Sequence, residues 1–224
     1  MRTRVKICGL TRLEDIRAAV DAGVDALGLV FYPKSPRHLE LARAVELAAA
    51  IPAFVTTVAL FKDAPAAQVE QVLHRLPVDL LQFHGGEPAA FCEQFDRPYI
   101  KALGMKPAAG GASDAEGRLE DLRMRCAAYT SARGILLDAH APGEAGGTGE
   151  VFDWNGLCEA RASIPQALVL AGGLHADNVA GAIRLARPFA VDVSSGVETA
   201  PGIKSAEKIR RFMQQVAAAD SASK

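Results

Sequence analysis

Two reactive side chains in this sequence stand at the ends of short apolar segments. Cys8 ends the segment Val5 to Cys8, and Asp138 follows the segment Gly134 to Leu137. A thiol can act as a base or a nucleophile when nearby positive charge or a helix amino terminus favours its anionic form. A carboxyl group at the end of an apolar strand is partly removed from water, which favours the protonated form and allows proton delivery near neutral pH. Cys8 and Asp138 are therefore a candidate base and a candidate acid.

Both residues also have a simpler interpretation. A free cysteine is often a small buried hydrophobe, so Cys8 could serve packing alone. An aspartate after a strand is often a helix cap or a loop hydrogen-bond partner, and Asp138 could be either. The residue types alone leave these alternatives open.

Two further polar side chains follow apolar segments. Arg37 closes the stretch Phe31 to Arg37 (FYPKSPR), where two prolines stiffen the backbone. Its planar guanidinium can hold a carboxylate through two parallel hydrogen bonds, although a solvated surface arginine is the alternative. His84 follows Gln82 and Phe83, and it could be structural or contact a ligand. No spacing of His, Cys and Glu in the sequence completes a metal site, so we expect no metal.

Glycine and serine turns follow two late apolar segments. Gly172 and Gly173 end one of them, and Ser194, Ser195 and Gly196 end the other. Glycine allows a ligand to approach the backbone closely, and successive amide groups in such turns can point together at an anion. Each turn alone is also an ordinary strand-to-helix connection. Together they predict a phosphate site.

A third glycine-rich stretch, Gly146 to Gly149, follows Asp138. It is a candidate loop that covers the substrate and excludes water, with Gly147 in contact with the substrate.

Segments of strand type and segments with helical spacing alternate along the chain, and these elements must position the candidate residues. Apolar segments of strand type occur eight times, at Val5 to Cys8, Ala26 to Phe31, Phe54 to Phe61, Val78 to Phe83, Tyr99 to Leu103, Gly134 to Leu137, Ala167 to Leu170 and Phe189 to Val193. Segments with helical spacing separate them, and Thr11-x-x-Glu14 matches a helix capping box. This pattern predicts an α/β fold, a single (β/α)8 TIM barrel over residues 1–224.

The barrel prediction brings the reactive residues together. Loops at the carboxyl ends of barrel strands converge over one mouth, so the candidate residues should meet there. Asp192, inside the eighth segment, is expected to pair with a neighbouring polar group in the barrel. Met105 to Gly117 is expected to be a long loop before the fifth helix, and the chain after about residue 216 is expected to fray.

Composition limits the class of protein. The chain has 224 residues, a formal net charge of -1 and 50% hydrophobic residues, which suits one large globular core. No basic block or basic-aromatic interleaving suggests a nucleic-acid partner. We expect no signal peptide, and because no apolar run reaches the roughly 18 residues that span a membrane, we also expect no membrane association. The four cysteines form no C-x-x-C pair, which fits a reducing cytoplasm.

Seven ordered motifs resemble those of the phosphoribosylanthranilate isomerase family of tryptophan biosynthesis. The motifs cover nearly the whole chain: KICGLT at 6–11, FYPKSPR at 31–37, QFHG at 82–85, LLD at 136–138, GGTGEVFDW at 146–154, LAGGL at 170–174 and VDVSSGVE at 191–198. Each motif lies at the end of a predicted barrel strand. No single motif is decisive, but the ordered set is highly specific.

The resemblance implies roles for the candidate residues. Cys8 would be the general base, Asp138 the general acid and Arg37 the contact of the anthranilate carboxylate, while the turns at 172–173 and 194–196 would hold the phosphate. The implied reaction is an Amadori rearrangement of N-(5-phosphoribosyl)anthranilate to 1-(2-carboxyphenylamino)-1-deoxyribulose 5-phosphate. It needs no cofactor. The expected partner is this small phosphorylated substrate, and the expected assembly is a monomer or a homodimer.

Two other functions share the phosphate site. Another phosphosugar barrel enzyme, such as an indole-glycerol-phosphate synthase or a related aminoaldose isomerase, would lack the cysteine and aspartate pair. A non-catalytic phospho-ligand sensor would have no use for an acid and a base. The sequence also departs from the family pattern in three places, at Phe83, at Ser205 and in the long segment Met105 to Gly117.

Overall fold

Eight parallel strands close into a barrel. The computed structural model describes residues 2–105, 115–138 and 164–222. The barrel strands are β1 (Arg4–Cys8), β2 (Ala26–Val30), β3 (Thr56–Phe61), β4 (Leu80–Phe83), β5 (Tyr99–Gly104), β6 (Gly134–Asp138), β7 (Ala167–Ala171) and β8 (Ala190–Val193). Each strand pairs with the next, and β8 closes the barrel on β1 with Asp192 opposite Lys6. The predicted TIM barrel is confirmed, and every predicted apolar segment contains a strand.

Helices follow the strands in the order that the periodicity predicts. In the described ranges they are α1 (Leu13–Asp21), α2 (Leu41–Ala48), α3 (Ala66–Arg75), α4 (Ala89–Glu93), α5 (Ala115–Ala127), α6 (Val179–Ala186) and α7 (Ala206–Ala222). A short 3-10 turn at Ser195–Val197 and a hairpin of β9 (Glu198–Ala200) and β10 (Ile203–Lys204) lie between β8 and α7. Among the helices of the described ranges, none is long and apolar enough to cross a bilayer.

The alternation of side chains along each strand decides what faces the barrel interior. The odd-numbered side chains of β1 pack into the hydrophobic layer between barrel and helices, so Lys6 and Cys8 face inward. The same alternation turns Gln82, Asp138 and Asp192 inward. Apolar side chains from β5 to β8 form one small cluster in the interior, and Cys8, Val30 and Leu60 form another. The interior therefore combines apolar clusters with polar side chains from several strands.

The carboxyl-terminal helix is longer than we expected. The prediction that the chain frays after about residue 216 is wrong, because α7 continues to Ala222. Ala219 is buried in the core, and the Asp220 carboxylate accepts hydrogen bonds of 2.7 Å from both the backbone N and the Oγ1 of Thr3. The last turns of α7 are thus tied to the start of β1.

Two local predictions also differ from the structure. The residue at the N-cap of α1 is Arg12, which makes no side-chain cap, and the hydroxyl of Thr11 donates to the carbonyl of Gly202 instead of closing a capping box. Helix α5 begins at Ala115, so the end of the predicted loop Met105 to Gly117 is helical. Residues 106–114 of that loop lie outside the described ranges.

The two departures from the family pattern that fall on described residues have local explanations. Phe83 points away from the barrel interior and packs against the rings of Phe61, Phe91, Phe95 and Tyr99. Ser205 precedes α7, and its Oγ accepts a hydrogen bond of 3.3 Å from the backbone N of Lys208. A serine therefore caps this helix, as N-cap serines commonly do.

Candidate active site

A cavity of about 490 Å³ opens at the carboxyl ends of the barrel strands. The predicted site residues that line it are Cys8, Arg37, His84, Asp138, Gly172, Gly173, Ser194 and Ser195. The fold thus brings residues from six strand ends to one place, as the barrel prediction required. Gly147 lies outside the described ranges.

Gly196 does not line this cavity, although the sequence placed it with the phosphate turn. A Cβ at this position would lie 1.9 Å from the carbonyl oxygen of Leu174. Glycine is needed there because the turns after β7 and β8 pass very close to each other. Its role in the structure is to allow that close approach.

Cys8 lies on the inner face of β1 and borders the cavity. Val30, Leu60 and the partly buried Tyr32 pack around it. Burial raises the pKa of the Cys8 thiol and nearby Asp192 adds to the rise, whereas the ammonium groups of Lys6 and Lys204 oppose it. The thiol therefore stands between an apolar wall, which disfavours the thiolate, and two cations, which favour it.

Asp138 ends β6 and contacts His84, which follows β4. The distance from His84 Nε2 to Asp138 Oδ2 is 3.3 Å. Behind the ring, Gln82 Nε2 lies 3.1 Å from His84 Nδ1. Gln82, His84 and Asp138 thus form a chain of polar contacts, in which the tautomer of His84 decides which ring nitrogen donates.

Arg37 is bound by an acidic residue that the sequence analysis did not single out. Its Nε and Nη2 donate to Oε1 and Oε2 of Glu198 at 2.8 and 2.6 Å, a bidentate pair. This pair raises the pKa of Arg37. Nη1 is the guanidinium nitrogen that Glu198 does not use. Glu198 therefore occupies one edge of the guanidinium, and the other edge, with the remaining hydrogens of Nη1 and Nη2, can form the predicted two-bond fork toward a substrate carboxylate.

Glu198 joins Arg37 to a fully buried lysine. Lys204 Nζ donates to Glu198 Oε1 at 2.7 Å, and its side chain is 0% exposed. The same ammonium donates to the Cys8 carbonyl at 2.6 Å and to the Ser194 carbonyl at 3.2 Å. Burial opposes ionisation of Glu198, but Arg37 and Lys204 outweigh it, so the pKa of Glu198 is lowered. The β9-β10 hairpin thereby holds the ends of β1 and β8 and the loop after β2.

The predicted phosphate turns have the backbone that such a site needs. Gly172 and Gly173 both have positive φ, at 82° and 65°, a conformation that glycine adopts without strain. The side chain of Asn178 fastens this turn by accepting from the His175 N and donating to the Gly173 carbonyl. Ser194 Oγ donates to the Cys8 carbonyl at 3.0 Å, so its hydroxyl hydrogen is already used. Backbone N–H groups of the turns are left to bind an anion.

Metal ligands are not grouped in the part of the chain that the structure describes. Within residues 2–105, 115–138 and 164–222, no three His, Cys, Asp or Glu side chains are arranged to hold an ion. The polar groups of the site are instead arranged as charge pairs and hydrogen-bond chains.

Comparison with known proteins identifies the family of this chain. The family model described as N-(5'phosphoribosyl)anthranilate (PRA) isomerase matches residues 5–215. The chain belongs to this family. The predicted resemblance is therefore confirmed.

Named relatives and solved structures of phosphoribosylanthranilate isomerases agree with this match. The isomerase of Azotobacter vinelandii is 51% identical over 213 residues, covering 95% of this chain and 97% of the relative. That of Thiobacillus denitrificans is 52% identical over 219 residues, covering 97% and 100%. The crystal structure of the Thermotoga maritima enzyme superposes with a TM-score of 0.84 at 36% identity, covering 96% of this chain and 99% of that one. Another isomerase structure, in complex with reduced 1-(o-carboxyphenylamino)-1-deoxyribulose 5-phosphate, has a TM-score of 0.80 at 35% identity, covering the same shares.

Four residues of the isomerase site were not assigned a role from the sequence: Lys6, Gln82, Glu198 and Lys204. The sequence contains a signal for two of them, Lys6 and Gln82. Lys6 interrupts the apolar segment RVKIC two positions before Cys8, and the period of a strand puts both on one face. Gln82 stands in the same relation to His84 on β4. Glu198 and Lys204 gave no such signal, because their partners lie on distant parts of the chain.

Proposed function

We propose that this family member converts N-(5-phosphoribosyl)anthranilate to 1-(2-carboxyphenylamino)-1-deoxyribulose 5-phosphate, with Cys8 as general base and Asp138 as general acid. One observation carries the assignment of roles. Cys8 and Asp138 line the same cavity, and both phosphate turns line it too. An acid, a base and an anion site around one space are the parts that this rearrangement requires. A sensor would need only the anion site.

The two ends of the substrate supply the binding energy. The phosphate is proposed to lie against the turns at Gly172-Gly173 and Ser194-Ser195, whose N–H groups stabilise negative charge. The anthranilate carboxylate is proposed to meet the free edge of Arg37, because Glu198 holds the other edge. Contacts at both ends hold the ribose between acid and base, which can lower the barrier by several kcal/mol.

The chemical steps balance as a proton exchange. Asp138 protonates the furanose ring oxygen, the bond from that oxygen to C1 breaks, and the nitrogen lone pair forms a C1–N double bond. The C2 hydrogen is then acidic, and the Cys8 thiolate removes it. The electron pair forms a C1–C2 double bond and neutralises the nitrogen, giving an enolamine that tautomerises to the ketone. Cys8 is then a thiol and Asp138 a carboxylate; loss of the C2 hydroxyl proton and protonation of C1 complete the ketone, and proton exchange with water returns both side chains to their starting states.

His84 is proposed to serve the acid, in addition to its predicted contact with substrate. Its Nε2 lies 3.3 Å from Asp138 Oδ2, so a proton on Nε2 would stabilise the carboxylate that forms when Asp138 gives up its proton. Gly147, in the glycine-rich stretch 146–149, remains a proposed substrate contact on the basis of the sequence alone.

The setting of the reaction is proposed from the family and the composition. We expect catalysis in the cytoplasm, with no nucleic-acid or membrane partner and no cofactor. The Thermotoga maritima relative is described as a dimeric phosphoribosylanthranilate isomerase, at 34% identity and a TM-score of 0.80. For this chain, a monomer and a homodimer both remain compatible with the proposed site, which is formed within one chain.

A fluorescence assay tests the proposed function. Phosphoribosylanthranilate is made in situ from anthranilate and phosphoribosyl pyrophosphate, and its loss is followed with purified protein free of host enzyme. The wild-type chain should consume it, while Cys8→Ser and Asp138→Asn should each lower kcat by about 10²-fold to 10⁴-fold with KM little changed. Serine keeps the shape of cysteine but supplies almost no anionic base near neutral pH. Normal turnover by Cys8→Ser would show that Cys8 is a packing residue and that the proposed mechanism is wrong.

A further inference from the structure

The barrel interior contains an ion pair that the proposed reaction steps do not use. Lys6 Nζ lies 2.9 Å from Asp192 Oδ1, and the two side chains are only 6% and 8% exposed. They stand opposite each other on the neighbouring strands β1 and β8. Taking two charges out of water is costly, and an apolar pair of similar size is often at least as stable. A charged pair at this depth therefore calls for an explanation other than stability.

The lysine of this pair is directed at the reactive thiol. Lys6 and Cys8 are two positions apart on β1, so both face the interior. Opposite them on β2 is Gly28, which pairs with Cys8. A Cβ at Gly28 would lie 2.9 Å from Cys8 Sγ and 3.1 Å from Lys6 Nζ, so both atoms border the same small space. No side chain of β2 separates the ammonium from the sulfur.

The other charged groups around Cys8 are engaged elsewhere. The ammonium of Lys204 donates to the backbone carbonyl of Cys8, and its charge is paired with Glu198. Arg37 is held by the same glutamate. Tyr32 packs on the apolar side of the thiol, and Asp192 contributes negative charge from β8. Lys6 is the cation whose head group stands beside the sulfur.

We propose that Lys6, held in place by Asp192, is the counter-ion that stabilises the thiolate of Cys8. Lys6 is a positioning residue in this proposal, because it acts through Cys8 and not on the substrate. The inference rests on the proposed function in assigning Cys8 as the base. Asp192 keeps the ammonium directed into the interior and charged, since removal of a lysine proton at this depth would leave the aspartate unpaired.

The pKa shifts of Lys6 and Cys8 agree with this geometry, whereas at Asp192 burial outweighs Lys6 and the pKa is raised. Burial lowers the pKa of Lys6, but Asp192 and the Cys8 thiolate outweigh burial, so the pKa of Lys6 is raised and it stays an ammonium. Burial raises the pKa of Cys8, and Lys6 is the strongest influence that opposes the rise. Asp192 acts on Cys8 in the opposite direction to Lys6. The two members of the ion pair should therefore shift the thiol in opposite directions when each is neutralised.

The rate of thiol alkylation reports how readily Cys8 loses its proton, and the measurement needs no turnover. The rate of iodoacetamide labelling is followed across a pH series, with mass spectrometry of the peptide that carries Cys8. Lys6→Met should move the labelling midpoint up by about 1–3 pH units and slow labelling at neutral pH by about 10-fold or more. Asp192→Asn should move the midpoint down. The rising limb of kcat/KM against pH should move with the labelling midpoint in each variant.

Lys101→Met is the matched control. Lys101 is also a buried lysine paired with a carboxylate, 2.8 Å from Glu87, but it lies on β5, donates to the carbonyls of Phe83 and Gly85 and is not among the groups that shift the pKa of Cys8. Its removal should leave the labelling midpoint of Cys8 unchanged. If it moves the midpoint as far as Lys6→Met does, the effect is general loosening and the proposal fails.

The double variant Lys6→Met/Asp192→Asn covers the case in which Lys6→Met alone does not fold. It removes both charges and leaves no unpaired carboxylate, so its midpoint should lie above that of the wild type and below that of Lys6→Met. A midpoint at or below that of the wild type would overturn the proposal, as would an unmoved midpoint in Lys6→Met. The outcome is separate from the test of the base, since Cys8→Ser with normal turnover would refute the proposed mechanism and leave the labelling shifts unaffected.

Discussion

Replacing Glu198 by glutamine tests how much the buried ion pairs of Glu198 with Arg37 and Lys204 stabilise the fold. The variant Glu198→Gln keeps the size of the side chain and removes its charge. The native carboxylate accepts charge-assisted bonds from Arg37 Nε, Arg37 Nη2 and Lys204 Nζ at 2.8, 2.6 and 2.7 Å. Its side chain is 5% exposed and that of Lys204 is 0% exposed. Loss of the charge leaves a buried ammonium without its counter-ion.

The magnitude follows from this burial. Breaking a buried ion pair by neutralising one partner costs about 3–5 kcal/mol, whereas surface pairs contribute about 0–1 kcal/mol. We expect Glu198→Gln to lower the free energy of unfolding by about 3 kcal/mol at neutral pH, or roughly 6–12 °C in Tm for a domain of this size. Urea unfolding followed by circular dichroism measures it. Glu46→Gln is the control, because Glu46 makes a surface pair with Arg43 on the same helix and should change stability by at most about 0.5 kcal/mol.

The difference in stability between the wild type and Glu198→Gln should grow as the pH rises. The pKa of Glu198 is lowered from its ordinary value of 4.5 in the folded protein. Its stabilising contribution is therefore complete well above pH 4.5 and is lost as the pH falls through the folded-state pKa. Stability curves of the wild type and Glu198→Gln should converge in acid and separate toward neutral pH. A constant gap, or a gap no larger than that of Glu46→Gln, would refute the reasoning.

The remaining predictions concern the substrate contacts. Arg37→Lys should raise KM by about 10-fold or more with a smaller change in kcat, because one ammonium cannot bind Glu198 with two parallel bonds and also present a second edge to a carboxylate; equal kinetics would show that Arg37 does not contact the substrate. Ser195→Glu should raise KM by placing a negative charge beside the phosphate, and an unchanged KM would argue against this turn as the phosphate site. Gln82→Leu should lower kcat without raising KM, because His84 would lose the polar partner at its Nδ1, and Gln82→Glu should not restore it, since a carboxylate favours a proton on Nδ1. Steady-state kinetics in the fluorescence assay measure all three.

The fold could be predicted from the sequence because its signals are local. Each strand is a short apolar segment and each helix has its own period, so eight repeats indicate a barrel without any knowledge of contacts. Once a barrel is assumed, strand ends become neighbours, which is how Cys8 and Asp138 could be paired although 130 positions separate them. The prediction for the end of α7 was wrong because burial of Ala219 and the bonds of Asp220 to Thr3 depend on a contact between the two ends of the chain.

The charge partners of the site could not be predicted in the same way. Arg37 was expected to bind the substrate carboxylate, but no feature of the sequence indicated that Glu198, 161 positions away, binds one edge of its guanidinium. A barrel topology places strand ends next to each other and says little about a hairpin inserted after β8. The sequence shows only that Glu198 and Lys204 flank a Pro-Gly turn, which is common on protein surfaces. Their burial follows from packing against β1 and the loop after β2.

The charge pairs also explain why the acid and the base can share one cavity. A thiolate and a carboxylate in the same apolar space would repel each other, and burial would keep both protonated. In this structure, two ammonium groups stand on the side of Cys8, where Lys6 and Lys204 favour the anion, and the imidazole of His84 lies 3.3 Å from Asp138. The two ammonium groups favour loss of the thiol proton at one strand end, and the contact with His84 orients the carboxyl group at the other. The separation of roles between two strand ends thus depends on which neighbours carry charge, and those neighbours are side chains of the barrel interior and of the β9-β10 hairpin.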